Sequence, residues 1–391
     1  MRKVYMDNGA GMPLDSRVFE AMKPYFIKDY GNPSSSHSSG NIGQGAIATS
    51  REQVAQLISA ENSREIIFTS GGTESNNLAI KGVAYRNKEK GNHIITTDIE
   101  HISVINICKY LHRQGFEVTY VPVDNQGVVN LEKIKEAIND KTILISVMYA
   151  NGEIGTIQPI SEIGKLTKEN NVIFHVDAVA AAGKVPINVK EENIDLLSIS
   201  SNDLYGPKGV GALYIKKGTK IVPIIQGGGQ ENGLRSGTEN IPGIVGMGKA
   251  AELAQTEMES EGKRLTGLRD KLIKCALDKI KHSFLNGHPT KRLPNNTNLR
   301  FSYIEGESLI LGLDMHGIQL SSGSACTSKT LEPSHVLLAI GLTHEAAHGS
   351  LVFTMGKQNS EVDVDYVLEL LPDVVKRLRA LSPLTPKEIL R

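Results

Sequence analysis

Val172-Ile173-Phe174-His175-Val176-Asp177-Ala178-Val179 is a short, nearly continuous apolar run with one carboxylate near its end. So brief a run, rich in β-branched and aromatic residues, reads as a strand buried on both faces. Working outward, residues 142–149 form a second apolar run, residues 116–121 alternate apolar and polar, and residues 65–70 form a further strand. Residues 103–114 carry Val104, Ile107, Cys108 and Leu111 at helical spacing. Apolar strands separated by helices predict an α/β fold with a mainly parallel sheet covered on both faces. A carboxylate at the carboxyl end of a parallel strand is where such folds place ligands, so Asp177 is a candidate site residue. A plain helix-capping Asp accounts for the same position.

The chain has 391 residues, enough for two or three domains at roughly 150 residues each. Lys and Arg total 43 and Asp and Glu total 43. That balance offers no net positive field to gather nucleic acid or anionic lipid. No apolar run approaches the roughly 18 residues of a membrane span, and residues 1–7 lack the apolar centre of a signal peptide. Cys108, Cys275 and Cys326 make no C-x-x-C and no disulfide framework, as expected of a cytoplasmic protein. Beyond about residue 262 the texture changes. A charged helix is followed by short strands at 298–302 and 351–355 and helices at 307–315 and 362–380, the last expected to kink or split at Pro372. The expected division is a large domain over 15–260 and a smaller α+β domain over 1–14 and 261–391, with the boundary in the charged segment 257–263.

Five segments carry candidate chemistry. Ser70-Gly71-Gly72-Thr73-Glu74-Ser75 follows a strand and opens a helix, which suits either an anion site or a simple N-cap. Glu100-His101 follows another strand, and a lone His there is as readily structural. Residues 198–211 and 226–238 supply glycines and hydroxyls, either as a second lining of one site or as flexible loops. Ser321-Ser322-Gly323-Ser324-Ala325-Cys326-Thr327-Ser328 sets a cysteine among small polar residues, so Cys326 is the candidate reactive thiol or an idle surface one. Cys108 and Cys275 lie in apolar settings typical of inert thiols.

Together these segments resemble the class I cysteine desulfurases, the NifS/IscS group, over almost the whole chain. The resemblance rests on Gly31-Asn32-Pro33-Ser34-Ser35, Thr69-Ser70-Gly71-Gly72-Thr73-Glu74-Ser75-Asn76-Asn77, Glu153-Ile154-Gly155-Thr156-Ile157-Gln158-Pro159 and His175-Val176-Asp177-Ala178. It extends through Tyr205-Gly206-Pro207-Lys208-Gly209, residues 227–240 and 322–326, and Leu381-Ser382-Pro383-Leu384. It implies a fold type I homodimer using pyridoxal 5'-phosphate, whose thiolate takes sulfur from cysteine and passes it to an iron–sulfur scaffold protein. By position, Gly72, Thr73, Ser200 and Thr238 (from the partner subunit) would hold the phosphate. His101 would stack on the ring, Asp177 would pair with the ring nitrogen, and Cys326 would carry the sulfur.

The chain departs from that family at one pocket. Asn202-Asp203 stands where the family has His-Lys, and a carboxylate cannot form the imine that this Lys makes with the cofactor. Val352 replaces an Arg that clamps the substrate carboxylate, at a cost of roughly 1.5–3 kcal/mol in binding. Ala180 replaces a Gln, Gly152 an Asn, and Gly9-Ala10-Gly11-Met12 a run containing Thr. The expectation is a sulfur-handling protein of cluster assembly with impaired catalysis and non-covalent cofactor, Cys326 serving as a ligand to a [2Fe-2S] cluster shared with a scaffold. The alternative is an active desulfurase in which another group replaces the Lys.

Overall fold

The computed structural model describes residues 2–322 and 333–389. Its strands in chain order are β1 (Val4–Tyr5), β2 (Ile66–Thr69), β3 (His93–Thr97), β4 (Glu117–Val121), β5 (Thr142–Met148), β6 (Ile173–Asp177), β7 (Leu196–Ser200) and β8 (Gly211–Ile215). They continue as β9 (Ser283–Asn286), β10 (Asn296–Phe301), β11 (Ile318–Gln319) and β12 (Ser350–Thr354). A seven-stranded sheet runs β2-β8-β7-β6-β5-β3-β4. It is a fold type I α/β sheet, parallel from β4 through β7, with β8 antiparallel to both neighbours. The reversal is local: β7 and β8 are joined by the short segment 201–210, too short for the crossover that a parallel pair requires.

The strands are apolar on both faces because helices cover both. Helix Gly72–Asn87 buries Leu78, Ile80 and Val83, and Ile102–Arg113 buries Val104, Ile107, Cys108 and Leu111, on one side. On the other, Ile145, Val147, Phe174, Val176, Leu197 and Ile199 pack with Ile47, Val54 and Met247.

The expected boundary segment, 257–263, lies inside one unbroken helix, Ile241–Lys279. Charge there reflects solvent exposure, with Lys263 reaching Glu259 at 2.6 Å one turn away. Its first half buries Ile244, Met247 and Ala251 against the large sheet's core; its second buries Leu265, Leu268 and Leu272 with β10, β12 and helix Glu361–Leu381. That last helix is also unbroken, so Pro372 neither splits it nor ends it. Proline removes the donor for the Leu368 carbonyl, and Lys279 Nζ supplies one at 3.4 Å. Antiparallel β12-β10-β9 and the parallel pair β1-β11 complete the second core.

Candidate active site

Parallel strands bring their carboxyl ends to one edge, and there Gly72, His101, Asp177 and Ser200 are gathered. Asp177 ends β6 in register with Met148 of β5 and Ser198 of β7 and is 5% exposed. Its Oδ1 accepts the Val179 N–H at 3.0 Å, the capping role that sequence alone allowed. Its Oδ2 accepts a hydrogen bond from Asn76 Nδ2 at 2.8 Å. The same Asn76 amide donates to Ser103 Oγ at 3.0 Å, and Ser103 Oγ lies 2.8 Å from His101 Nδ1. Because His101 Nδ1 also accepts the Ser103 N–H at 3.2 Å, the ring proton belongs on Nε2. One buried amide therefore orients both the carboxylate and the imidazole.

Helix Gly72–Asn87 starts beside this network. Its cap, Gly71, has φ of +149°, which glycine tolerates best, and no side chain caps the first turn. A Cβ on Gly72 would lie 2.6 Å from Val179 Cγ2, so only glycine lets the helix start tuck against the turn after β6. The same Cβ would be 3.8 Å from Ser200 Cβ. Ser200, Gly72 and the exposed Thr73 thus share one corner at a helix N-terminus, an electropositive setting. Thr238 is exposed on the connection into helix Ile241–Lys279.

Asp203 lies in the short turn Asn202–Leu204 just past β7. Loss of solvent pushes its carboxyl pKa up; Lys184, and hydrogen bonds from the Ser200 and Asn202 side chains, pull it back, while Asp177 adds to the rise. Lys184 Nζ donates to the Asp203 main-chain oxygen at 3.2 Å, and desolvation lowers the pKa of that amine. The buried Asn202 Oδ1 has no partner. A cavity of about 40 Å³ adjoins this pair, walled by Met12, Met258, Asn295 and Met355 among others.

Val352, 5% exposed, sits on β12 opposite Asn298 and exchanges main-chain hydrogen bonds with Ser321. A Cβ on Gly152 would meet the Ala180 Cβ at 3.6 Å, so these two small residues face one another. Gly9 N–H donates to Thr354 Oγ1 at 2.7 Å. The exposed Lys208 reaches the Met12 carbonyl at 3.5 Å. Cys326 lies outside the described residues. Cys108 is fully buried, and burial pushes its thiol up to about 12. Cys275 is half-buried rather than fully enclosed.

A profile of the family described as Aminotransferase class-V matches residues 4–367. The chain belongs to the class-V aminotransferase family. Within it, the cysteine desulfurase IscS of Methanosarcina thermophila is 56% identical over 387 residues, covering 99% of this chain and 95% of that protein. Cysteine desulfurase IscS 1 of Archaeoglobus fulgidus is 56% identical over 97% of this chain and 99% of its own length. A solved NifS-like protein superposes with a TM-score of 0.91 at 39% identity, covering 96% of this chain and all of that one. Class-V aminotransferases of the IscS/NifS type depend on pyridoxal phosphate. The residues present fit part of that cofactor. The Gly72–Ser200 corner suits a phosphate, and Asp177, held by Asn76, suits a protonated ring nitrogen. The aldehyde end does not fit, because the side chain at position 203 is a carboxyl group, which cannot form an imine.

Three residues escaped the sequence reading. Asn76 was visible only as part of Asn76-Asn77, with no cue to its partner. Lys184 follows Ala180-Ala181-Ala182-Gly183, and a lone Lys after an apolar run is a signal for a desolvated amine. Glu100 is fully buried, its Oε1 accepting from Thr97 Oγ1 at 2.7 Å and Met148 N–H at 3.0 Å, with its pKa pushed up to about 8 by burial.

Proposed function

We propose that this protein is a sulfur-handling member of the cysteine desulfurase group that works in iron–sulfur cluster assembly in the cytoplasm with impaired turnover of cysteine. The observation that carries this reading is the Asp203 carboxyl group, hydrogen-bonded to Ser200, at the position of the family's imine-forming lysine. Gly72, Thr73, Ser200 and the partner subunit's Thr238 hold the cofactor phosphate in a homodimer. His101 stacks on the ring and Asp177 pairs with its nitrogen. All of these contacts are reversible, so the cofactor is bound without a covalent link. Val352, Ala180 and Gly152 give a substrate amino acid little to hold. Cys326 passes sulfur to a scaffold protein or ligates its [2Fe-2S] cluster, for which thiolate is the preferred iron ligand.

Alanine release from cysteine by cofactor-loaded protein tests this reading. Release at a rate near that of a lysine-containing relative would contradict it. One observation favours a second reading, an active enzyme: Lys184 Nζ, a desolvated amine, stands 3.2 Å from the Asp203 carbonyl oxygen. Lys184→Ala separates the two. It would abolish alanine release in the second reading and change nothing covalent in the first.

A further inference from the structure

At the amino ends of the parallel strands, opposite the edge that carries Asp177 and Ser200, the sheet opens onto a second concave surface. A cavity of about 560 Å³ lies beside the starts of β6 and β7 and the end of β8. Small-ligand pockets run from about 300 to 1,000 Å³. Arg86, Lys90, Lys168, Lys216, Lys217 and Lys220 line it, in a chain whose 43 basic and 43 acidic residues balance. Among the described residues of the lining, Asp195 is the one carboxylate, and both its oxygens are taken. Oδ1 accepts from Lys216 Nζ at 3.1 Å and Oδ2 from the Phe174 N–H at 3.0 Å. The other five cations are exposed and form no ion pair with any described residue. Arg86 and Lys168 lie in the last turns of helices Gly72–Asn87 and Ile160–Glu169, where a cation complements the helix end. That does not account for Lys216, Lys217 and Lys220, which follow a strand. Their turn is closed by the Thr219 N–H on the Lys216 carbonyl at 2.9 Å, with Gly218 at φ of +96°.

We propose that this cleft binds a small ligand carrying a chain of phosphates, such as inorganic tripolyphosphate or a nucleoside triphosphate. A cleft lined by one sign of charge focuses its field, and linked anionic groups engage several cations at once. Among the described residues no aromatic ring lines the cavity, so no side chain stacks on a base and the phosphate chain is what is recognised. Helix Gly72–Asn87 has its first residue at the Gly72–Ser200 corner and its last turn at the cleft. Its 16 residues span about 24 Å, so the two anion sites are separate. The cleft does not depend on how the cofactor is held.

Isothermal titration of full-length protein with tripolyphosphate, ATP and inorganic phosphate, at fixed ionic strength and with or without saturating pyridoxal phosphate, tests this. Tripolyphosphate and ATP should each bind once per chain, within about threefold of one another, and inorganic phosphate at least about tenfold more weakly. Pyridoxal phosphate should leave these affinities unchanged. Lys168→Ala combined with Lys220→Ala should weaken both polyanions about tenfold. Lys274→Ala combined with Lys376→Ala removes as much exposed charge from the helices of the second core and should leave binding within about twofold of wild type. No binding at millimolar concentration, equal weakening in both double variants, or affinity for ATP without affinity for tripolyphosphate overturns the inference. So does competition by pyridoxal phosphate, which would put the anion in the Gly72–Ser200 corner. Tighter binding of a short RNA oligonucleotide than of tripolyphosphate also overturns it, by making the cleft a nucleic-acid surface. Each of these outcomes leaves the proposed function standing.

Discussion

Asn76 Nδ2 donates to Asp177 Oδ2 at 2.8 Å inside the start of the helix that follows β2. The contact joins two elements 101 residues apart and fixes the carboxylate that faces the site edge. Through Ser103 the same amide reaches His101, so a single buried side chain holds both the carboxylate and the imidazole. Asn76→Ala should leave Asp177 and Ser103 without this donor and weaken reversible cofactor binding about five- to tenfold, with Asn76→Gln giving no rescue because its longer side chain misplaces the amide. Titration with pyridoxal phosphate measures this; wild-type affinity in Asn76→Ala would show that Asp177 needs no such support.

Asp203→Lys should restore covalent cofactor attachment, seen as imine absorption, but produce little alanine. Val352 still offers no charge to a substrate carboxylate, and Ala180 and Gly152 still offer no side-chain amide. Adding Val352→Arg should increase alanine release by more than the product of the single effects, since both groups act on one bound substrate. Val352 is buried on β12, so a thermal melt of that variant should accompany the assay.

Glu100 makes a separate prediction about stability. Its carboxyl is buried, Oε2 has no partner, and its pKa is pushed up to about 8 from an ordinary value near 4.5. Between those values the unfolded chain is ionised there while the folded protein keeps the proton. Its contribution is full below about pH 4.5 and is lost as pH rises towards 8, at up to about 1.4 kcal/mol per pH unit. Glu100→Gln resembles the protonated form and should flatten that decline. Denaturant midpoints of both proteins at pH 5 and pH 8 check it, and parallel declines would place the pH dependence elsewhere.

The sheet was legible in the sequence because short apolar runs rich in β-branched residues favour strands buried on both faces, and Asp177 and Ser200 fall where those strands end. The antiparallel β8 was less legible, since its residues look like any other buried strand and only the short connection 201–210 gives its direction away. At 257–263 exposed Glu and Lys decorate a helix shared by two cores, a continuity that charge alone does not reveal. Proline misled at 372 because the rescue comes from Lys279, 93 positions away and invisible to local pattern. The loss at position 203 was plain from residue type alone. What surrounds it was not, because Lys184, Ser200 and Asn202 meet only through the packing of the turn after β6 against the turn after β7.

With Asp203 in place of an imine-forming lysine, borohydride reduction of protein saturated with pyridoxal phosphate, followed by peptide mass mapping, should find no reduced adduct on Lys184, Lys208 or any other lysine, and dialysis without reduction should remove the cofactor fully. A stoichiometric reduced adduct on any single lysine would contradict non-covalent binding.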